Sequence, residues 1–366
     1  MKSITLFKTL LSLSFVTVSS LSGGVVHAQS NLDAFVDSNI VGKERSIVTS
    51  VLQDIPESQR GDLIVIASDG QIYTNKPELK KEVIEYTKNK EGVFEDSDGN
   101  KIFPPKQDRP EQIQLQSPLN SFSTEVKVDE KGQQSSNTLA IEGNAELIQP
   151  LVSQVPATGG SGPYRRVESY NSYSWASANI YLTNDVSDND STAPYYDTGY
   201  LYMGGWGEAS NAVDAGFKHN SLDNTYSPMM QIDGTPYGFT PRVASGQTAY
   251  LETYVGTNGN FIMHAEYKDT TGVSRSINVS VYAPGFKQNG ANIMKRMTTM
   301  GQKTEYLTTK TYLRGAVWSN ARIGASTSSY HVWADSDTWQ FQSYGNRIGL
   351  NKTNASNETV SILPGS

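Results

Sequence analysis

The sequence predicts a mainly β chain, a jelly-roll or concanavalin-like antiparallel sandwich with a small N-terminal α+β unit, and three observations carry that expectation. From Tyr170 onward, short runs rich in Tyr, Val, Thr and Phe are separated roughly every 8–12 residues by turn-forming stretches, the spacing of an all-β sandwich. Within the runs, apolar and polar residues alternate: Val213, Ala215 and Phe217 interleave with Asp214, Gly216 and Lys218, the period of a strand with one buried face. About a dozen such runs exceed a seven-stranded immunoglobulin module, and no internal repeat points to a propeller or solenoid.

Taken in order, residues 1–28 read as a signal peptide. Lys2 and Lys8 lie ahead of and within an apolar run, and Val26-His27-Ala28 precedes Gln29 as an A-x-A-like cleavage site. The expectation is a secreted, extracellular protein with no membrane span, since no other window approaches ~20 apolar residues. Residues 29–104 form the small α+β unit. Ile64 to Ala67, Ser68-Asp69-Gly70 and Gln71-Ile72-Tyr73 read as strand, turn, strand. Pro77 opens a helix over 78–88, with Leu79, Val83, Ile84 and Tyr86 partly on one face. A second hairpin turns at Asp98-Gly99 between Val93-Phe94 and Ile102-Phe103. Residues 105–164 contain Pro-, Gly-, Ser- and Gln-rich runs such as PATGGSGP and read as a flexible linker. The sandwich then occupies 165–366, with strands expected near 175–182, 198–203, 213–219, 226–232, 248–255, 261–268, 276–282, 293–299, 309–318, 331–333, 338–343 and 346–350.

Composition narrows the function classes. The formal charge is −7, and loss of residues 1–28 leaves 28 basic against 37 acidic side chains, or −9. An acidic surface repels phosphate backbones, so nucleic acid and anionic membranes are disfavoured as partners while a cation or a neutral glycan is compatible. Zero Cys removes disulfides and thiol chemistry, which leaves stability to the core. The residues do not set an oligomeric state.

The run AVDAGFKHN…YSPMMQIDG, followed by FTPRVASGQTAYLETYVGTNGNFIMHAEY, is similar to a small group of secreted Bacillus proteins of the YrpD type. In that group a strand leads through a polar turn to a W/Y-x-P-φ-φ-K/Q segment, a place held here by Tyr226, Pro228, Met229 and Met230. The resemblance spans about residues 165–350 and implies a signal-bearing extracellular β-sandwich. It supplies no activity and no catalytic residue, and the N-terminal unit departs from it.

Chemistry has few candidates. Residues 29–366 hold three His, at 219, 264 and 331, none in a zinc motif. His264 and Glu266 share a strand face, so Glu266 could orient His264 as a general base. The loops at 96–100 and 185–190 gather hard oxygens without EF-hand spacing, and Asp185, Asp188 and Asp190 are the Ca²⁺ candidates. No G-x-S-x-G elbow or nucleotide fingerprint occurs.

What stands out is one face of the strand near 248–255. Tyr250, Glu252 and Tyr254 share parity, and Leu251, Thr253 and Val255 form the more apolar opposite side. A two-residue turn at Asn258-Gly259 would set Tyr254 opposite Met263 and Tyr250 opposite Tyr267, leaving Glu252 among Tyr rings on an exposed face. Tyr250, Glu252, Tyr254 and Tyr267 are therefore the ligand-binding candidates. Glu252, His264 and Glu266 are the catalytic ones. For glycoside hydrolysis Glu252 would need a second carboxylate from Glu208, Asp214 or Glu266, and for a lyase Tyr250 or His264 would work with Arg242. On this expectation Glu252→Gln costs little stability, about 0.5 kcal/mol. The function predicted is binding of a polysaccharide or cell-envelope glycan. A secreted polysaccharide-degrading enzyme is the alternative, and a ligand-free matrix or surface protein is the third.

Overall fold

The computed structural model describes residues 32–107 other than 91, 153–155, 162–302 other than 171, 189–196, 209–210, 289 and 291, 310–343, and 347–365. The stretch read as a signal peptide lies outside the described residues, as do 108–152 and 156–161 of the stretch read as a linker.

Two large sheets form a sandwich. The path of the first runs Ile72–Thr74, Asp62–Ile66, Ser274–Tyr282, Asn260–Lys268, Gln247–Val255, Trp175–Leu182, Tyr312–Ser326, Asn357–Ile362, Ile348–Asn354. The path of the second runs Val83–Glu85, Thr235–Phe239, Thr225–Ile232, Ala212–Asn220, Thr198–Trp206, Ile293–Gly301, Tyr164–Ser169, Thr338–Ser343, Ser153–Val155. Pairing is antiparallel except where Asp62–Ile66 runs parallel to Ser274–Tyr282 and Ser153–Val155 runs parallel to Thr338–Ser343. The chain is a mainly β sandwich, as its alternating runs predict.

Alternation explains the core. Leu251, Met263, Ala265, Val279 and Ile180 of the first sheet meet Leu201, Met203, Val213, Ala215, Phe217 and Met230 of the second, all fully buried. Successive strand residues point to opposite faces, so each apolar parity lands between the sheets. Each large side chain so buried contributes roughly 1.5–3 kcal/mol. One ion cluster joins the layers: Glu358 accepts from Arg165 (2.8 Å) and Arg296 (2.5 Å), with all three side chains at most 1% exposed. Burial by itself would raise the Glu358 carboxyl, but the two guanidiniums hold it below its ordinary range.

Residues 32–107 are built into the sandwich. Asp62–Ile66 and Ile72–Thr74 extend the first sheet, and Val83–Glu85 pairs with Thr235–Phe239 at the edge of the second. The helix expected over 78–88 does not form. Pro77–Glu82 is a 3₁₀ turn, Val83 begins a strand, and Thr87–Lys88 joins Phe94–Glu95 and Lys101–Ile102 in a small three-stranded sheet. β-branched Val83 and Ile84 fit a sheet edge better than a second helical turn, and tertiary pairing decides between them. A helix does form at Gly42–Asp54, with Val48, Val51 and Leu52 buried. It belongs to a second apolar cluster in which Leu32, Val36, Ile40, Ile55, Leu63 and Tyr73 surround Trp175, Tyr254 and Ile262 on the outer face of the first sheet. Gln107 is docked too, donating to Asp214 Oδ2 (3.1 Å) and accepting from Gly234 N (2.7 Å), so the start of the expected linker is part of the fold.

Candidate functional site

The hairpin Gln247–Val255 and Asn260–Lys268 builds the site, and its register differs by one residue from that of a two-residue turn. Gly256 N donates to Asn260 O (2.8 Å), and the turn spans Thr257–Gly259 with Asn258 at φ +57° and Gly259 at φ +75°. Tyr254 therefore faces Ile262, Glu252 faces His264, and Tyr250 faces Glu266. A shift of one residue exchanges the faces of a strand. It brings His264 and Glu266 beside Tyr250 and Glu252, and it turns Tyr267 inward. Tyr267 packs between the sheets at 6.3 Å from the Phe217 ring and donates to Pro241 O (3.1 Å), so its ring is largely core, although it still borders the trough described below.

The four polar residues form a connected network. Tyr250 Oη donates to Glu252 Oε2 (3.0 Å), and the ring of Tyr250 lies edge-on to His264 at 6.3 Å. His264 pairs with Glu266 Oε1 through Nε2 (3.2 Å) and with Asn278 Oδ1 through Nδ1 (3.0 Å). Asn278 Nδ2 donates to the backbone oxygen of Gln59 (2.9 Å), and Gln59 Nε2 returns to Glu252 Oε2 (2.8 Å). Trp175 Nε1 donates to the other carboxylate oxygen, Glu252 Oε1, at 2.5 Å. Burial and the neighbouring Glu252 push the Tyr250 phenol well above its ordinary range, so it serves as a donor.

Exposure divides the group. Glu266 is open to solvent, with 57% of its side chain accessible, whereas Glu252 and Tyr254 are each 3% exposed. The parity expected for Tyr250, Glu252 and Tyr254 holds, because Leu251 and Val255 do face the core. The exposure expected for Glu252 and Tyr254 does not: residues 32–75 cover that part of the face and Glu252 lies under Gln59, while Tyr250 stays half-buried at the open end. Nothing local to 248–255 signals this, since the cover comes from nearly two hundred residues upstream. Gln59 escapes notice for the same reason, and Trp175 and Asn278 because only the order and register of the strands bring them beside Tyr254 and His264.

Beyond the cover the face stays open as a trough of about 620 Å³, lined by Asn179, Thr248, Tyr250, Glu266, Arg275 and Ser276 among others. Other candidates are elsewhere. Asp214 pairs with buried Lys295 (2.7 Å) on the second sheet, Glu208 pairs with Lys287, and Arg242 pairs with Asp223, so Glu266 alone of the proposed partners accompanies Glu252. Asp185 lies 3.9 Å from Arg314, while Asp188 Oδ2 accepts from His219 Nδ1 (2.9 Å) and Gly199 N (3.1 Å). Asp190 lies outside the described residues. Among the described residues no three His, Cys, Asp or Glu side chains gather as a metal would require, and no helix is long and apolar enough to cross a membrane.

No family model matches the chain, and no curated protein does. Among solved structures, scytalido-glutamic peptidase with a transition state analog inhibitor is similar over 56% of this chain and 100% of its own, at 11% identity and a TM-score of 0.41. SCP-B, a member of the Eqolisin family of peptidases in complex with the tripeptide Ala-Ile-His, covers 55% of this chain and 98% of its own, at 10% identity and 0.38. A heptameric SAP-like pentraxin from Limulus polyphemus covers 50% and 77%, at 12% and 0.23. At such scores no site residue or substrate transfers.

Proposed function

We propose that the protein is an extracellular glycan-binding sandwich that takes a stretch of neutral polysaccharide in the trough on the outer face of the first sheet. The observation that carries this reading is the make-up of the trough: the amide of Asn179, the hydroxyls of Thr248 and Ser276, the opposed charges of Glu266 and Arg275, and the half-buried ring of Tyr250. A sugar offers hydroxyls to amides and carboxylates and CH faces to an aromatic ring. Few convergent polar groups on a largely preformed concave surface are what such a site needs. The signal-like N-terminus and the resemblance to YrpD-type secreted proteins support an extracellular place.

A hydrolytic reading of the same face has one observation behind it. Glu252 and Glu266 are diagonal neighbours on adjacent strands, joined through Tyr250 and His264. Diagonal positions lie about 7–8 Å apart, and inverting glycosidases hold their carboxyls about 6.5–9.5 Å apart. Both oxygens of Glu252 are occupied by Trp175, Gln59 and Tyr250 here, which places binding ahead of turnover.

A glycan array with purified full-length protein, followed by a reducing-sugar assay on each bound polymer, tests the reading. Thr248 and Glu266 are exposed, so Thr248→Trp and Glu266→Gln, which keeps an acceptor for His264, should leave the melting temperature unchanged and weaken binding about tenfold or more. Release of reducing ends would favour the hydrolase. Undiminished binding by both variants would remove the trough from consideration, and no binding to any glycan would leave the structural role.

A further inference from the structure

A second cavity lies on the other side of the molecule, between the outer face of the second sheet and the small three-stranded sheet. It holds about 190 Å³ and is walled by Ile84, Tyr86 and Ile102 together with six charged side chains: Asp96, Asp188 and Asp197 against Lys101, Lys218 and Arg242. Two of the six are buried without a full set of partners. Asp188 is 1% exposed; its Oδ2 is taken by His219 and Gly199, and its Oδ1 has no hydrogen-bond partner. Lys218 is 5% exposed, and its Nζ donates to Asn220 Oδ1 (2.8 Å) while lying 5.6 Å from the centre of the Tyr86 ring. An ammonium carries three donors, so a single hydrogen bond leaves it under-satisfied. Buried polar groups left in that state are costly, and a native protein that retains them beside a cavity gives them a partner there.

From these residues we infer that the cavity is a binding site for a small zwitterion of amino-acid size, whose carboxylate pairs with Lys218 and whose ammonium pairs with Asp188. The balance of charge argues for both signs in one ligand. A plain anion would meet three Asp side chains, and a plain cation would meet two Lys and one Arg. Size agrees, since a cavity of about 150 Å³ already holds a benzene-sized molecule. Burial pushes the Lys218 amine down to about 8, against the opposing pull of Asp188.

The test uses the full chain and L-alanine as the probe, with acetate and methylamine as single-charge controls, read by saturation-transfer NMR and by thermal shift. Two variants accompany it. Asp188→Asn keeps the shape of the side chain, and Lys218→Met keeps its length while removing a desolvated charge, so both should fold with an unchanged circular dichroism spectrum. Saturable L-alanine binding weakened about tenfold or more in each variant, with neither control binding as well, is the expected result; tenfold corresponds to about 1.4 kcal/mol, near the lower end for a hydrogen bond to a charged group. The inference is overturned by absence of saturable binding, by binding undiminished from the unaltered protein in either variant, or by acetate or methylamine binding as tightly as L-alanine.

Discussion

Glu252 shows how a single residue changes meaning with its surroundings. Judged on its own strand it is a surface carboxylate, and its replacement by Gln would cost almost nothing. In the fold it accepts from three donors, Trp175 Nε1, Gln59 Nε2 and Tyr250 Oη, at 3% exposure. A Gln side chain would set an NH₂ group against one of those donors. Glu252→Gln is therefore expected to destabilise the protein by about 1–3 kcal/mol, the cost of an unsatisfied buried group. Urea unfolding of the variant checks it. A loss under about 0.5 kcal/mol, the scale of ordinary surface positions, would mean that the face is open after all.

At the scale of the element, the helix Gly42–Asp54 holds the cover in place. Its Val48, Val51 and Leu52 pack toward Trp175, Tyr254 and Ile262, and Asp54 accepts from the backbone nitrogen (2.8 Å) and hydroxyl (2.9 Å) of Thr257 at the hairpin turn. Desolvation raises the Asp54 carboxyl above its ordinary range, in spite of those two hydrogen bonds. Leu52 is fully buried, so Leu52→Ala should cost about 2–5 kcal/mol. The same variant should speed amide exchange in 42–62 more than in 212–232, because the second-sheet hairpin has its own core contacts. Uniform exchange across both segments would show that the cover and the sandwich open as one unit.

For the molecule as a whole, the two sheets depend on residues that precede them in the chain. Asp62–Ile66 closes the edge of the strand Ser274–Tyr282, and the second apolar cluster has only Trp175, Tyr254 and Ile262 from the sandwich itself among its buried members. A fragment starting at residue 153 would expose that edge and those three side chains together, a recognised route to aggregation. It should bind a hydrophobic dye and aggregate where the full chain does not. A monomeric, dye-silent fragment with the full chain's melting temperature would show that residues 32–107 are dispensable for the fold.

The alternation of apolar and polar residues by itself determined the fold class, most of the sandwich strands, the two N-terminal hairpins and the inward face of 248–255, because the period of a strand is a local property of the chain. Val213, Ala215 and Phe217 are buried where that period puts them. Local pattern did not reach the strands Tyr164–Ser169 and Asn357–Ile362, whose charged residues are accommodated by an ion cluster drawn from three strands. It misplaced the N-terminal helix, where Val83 and Ile84 suit either structure until an edge is present to pair with them. Only the tertiary structure decided the site. A one-residue difference in the Gly256–Asn260 turn placed His264 and Glu266 beside Glu252, and residues 32–75 buried half of that face. Register and coverage are settled by contacts between segments far apart in the chain, where the free energy of pairing and burial outweighs the preferences of any one segment.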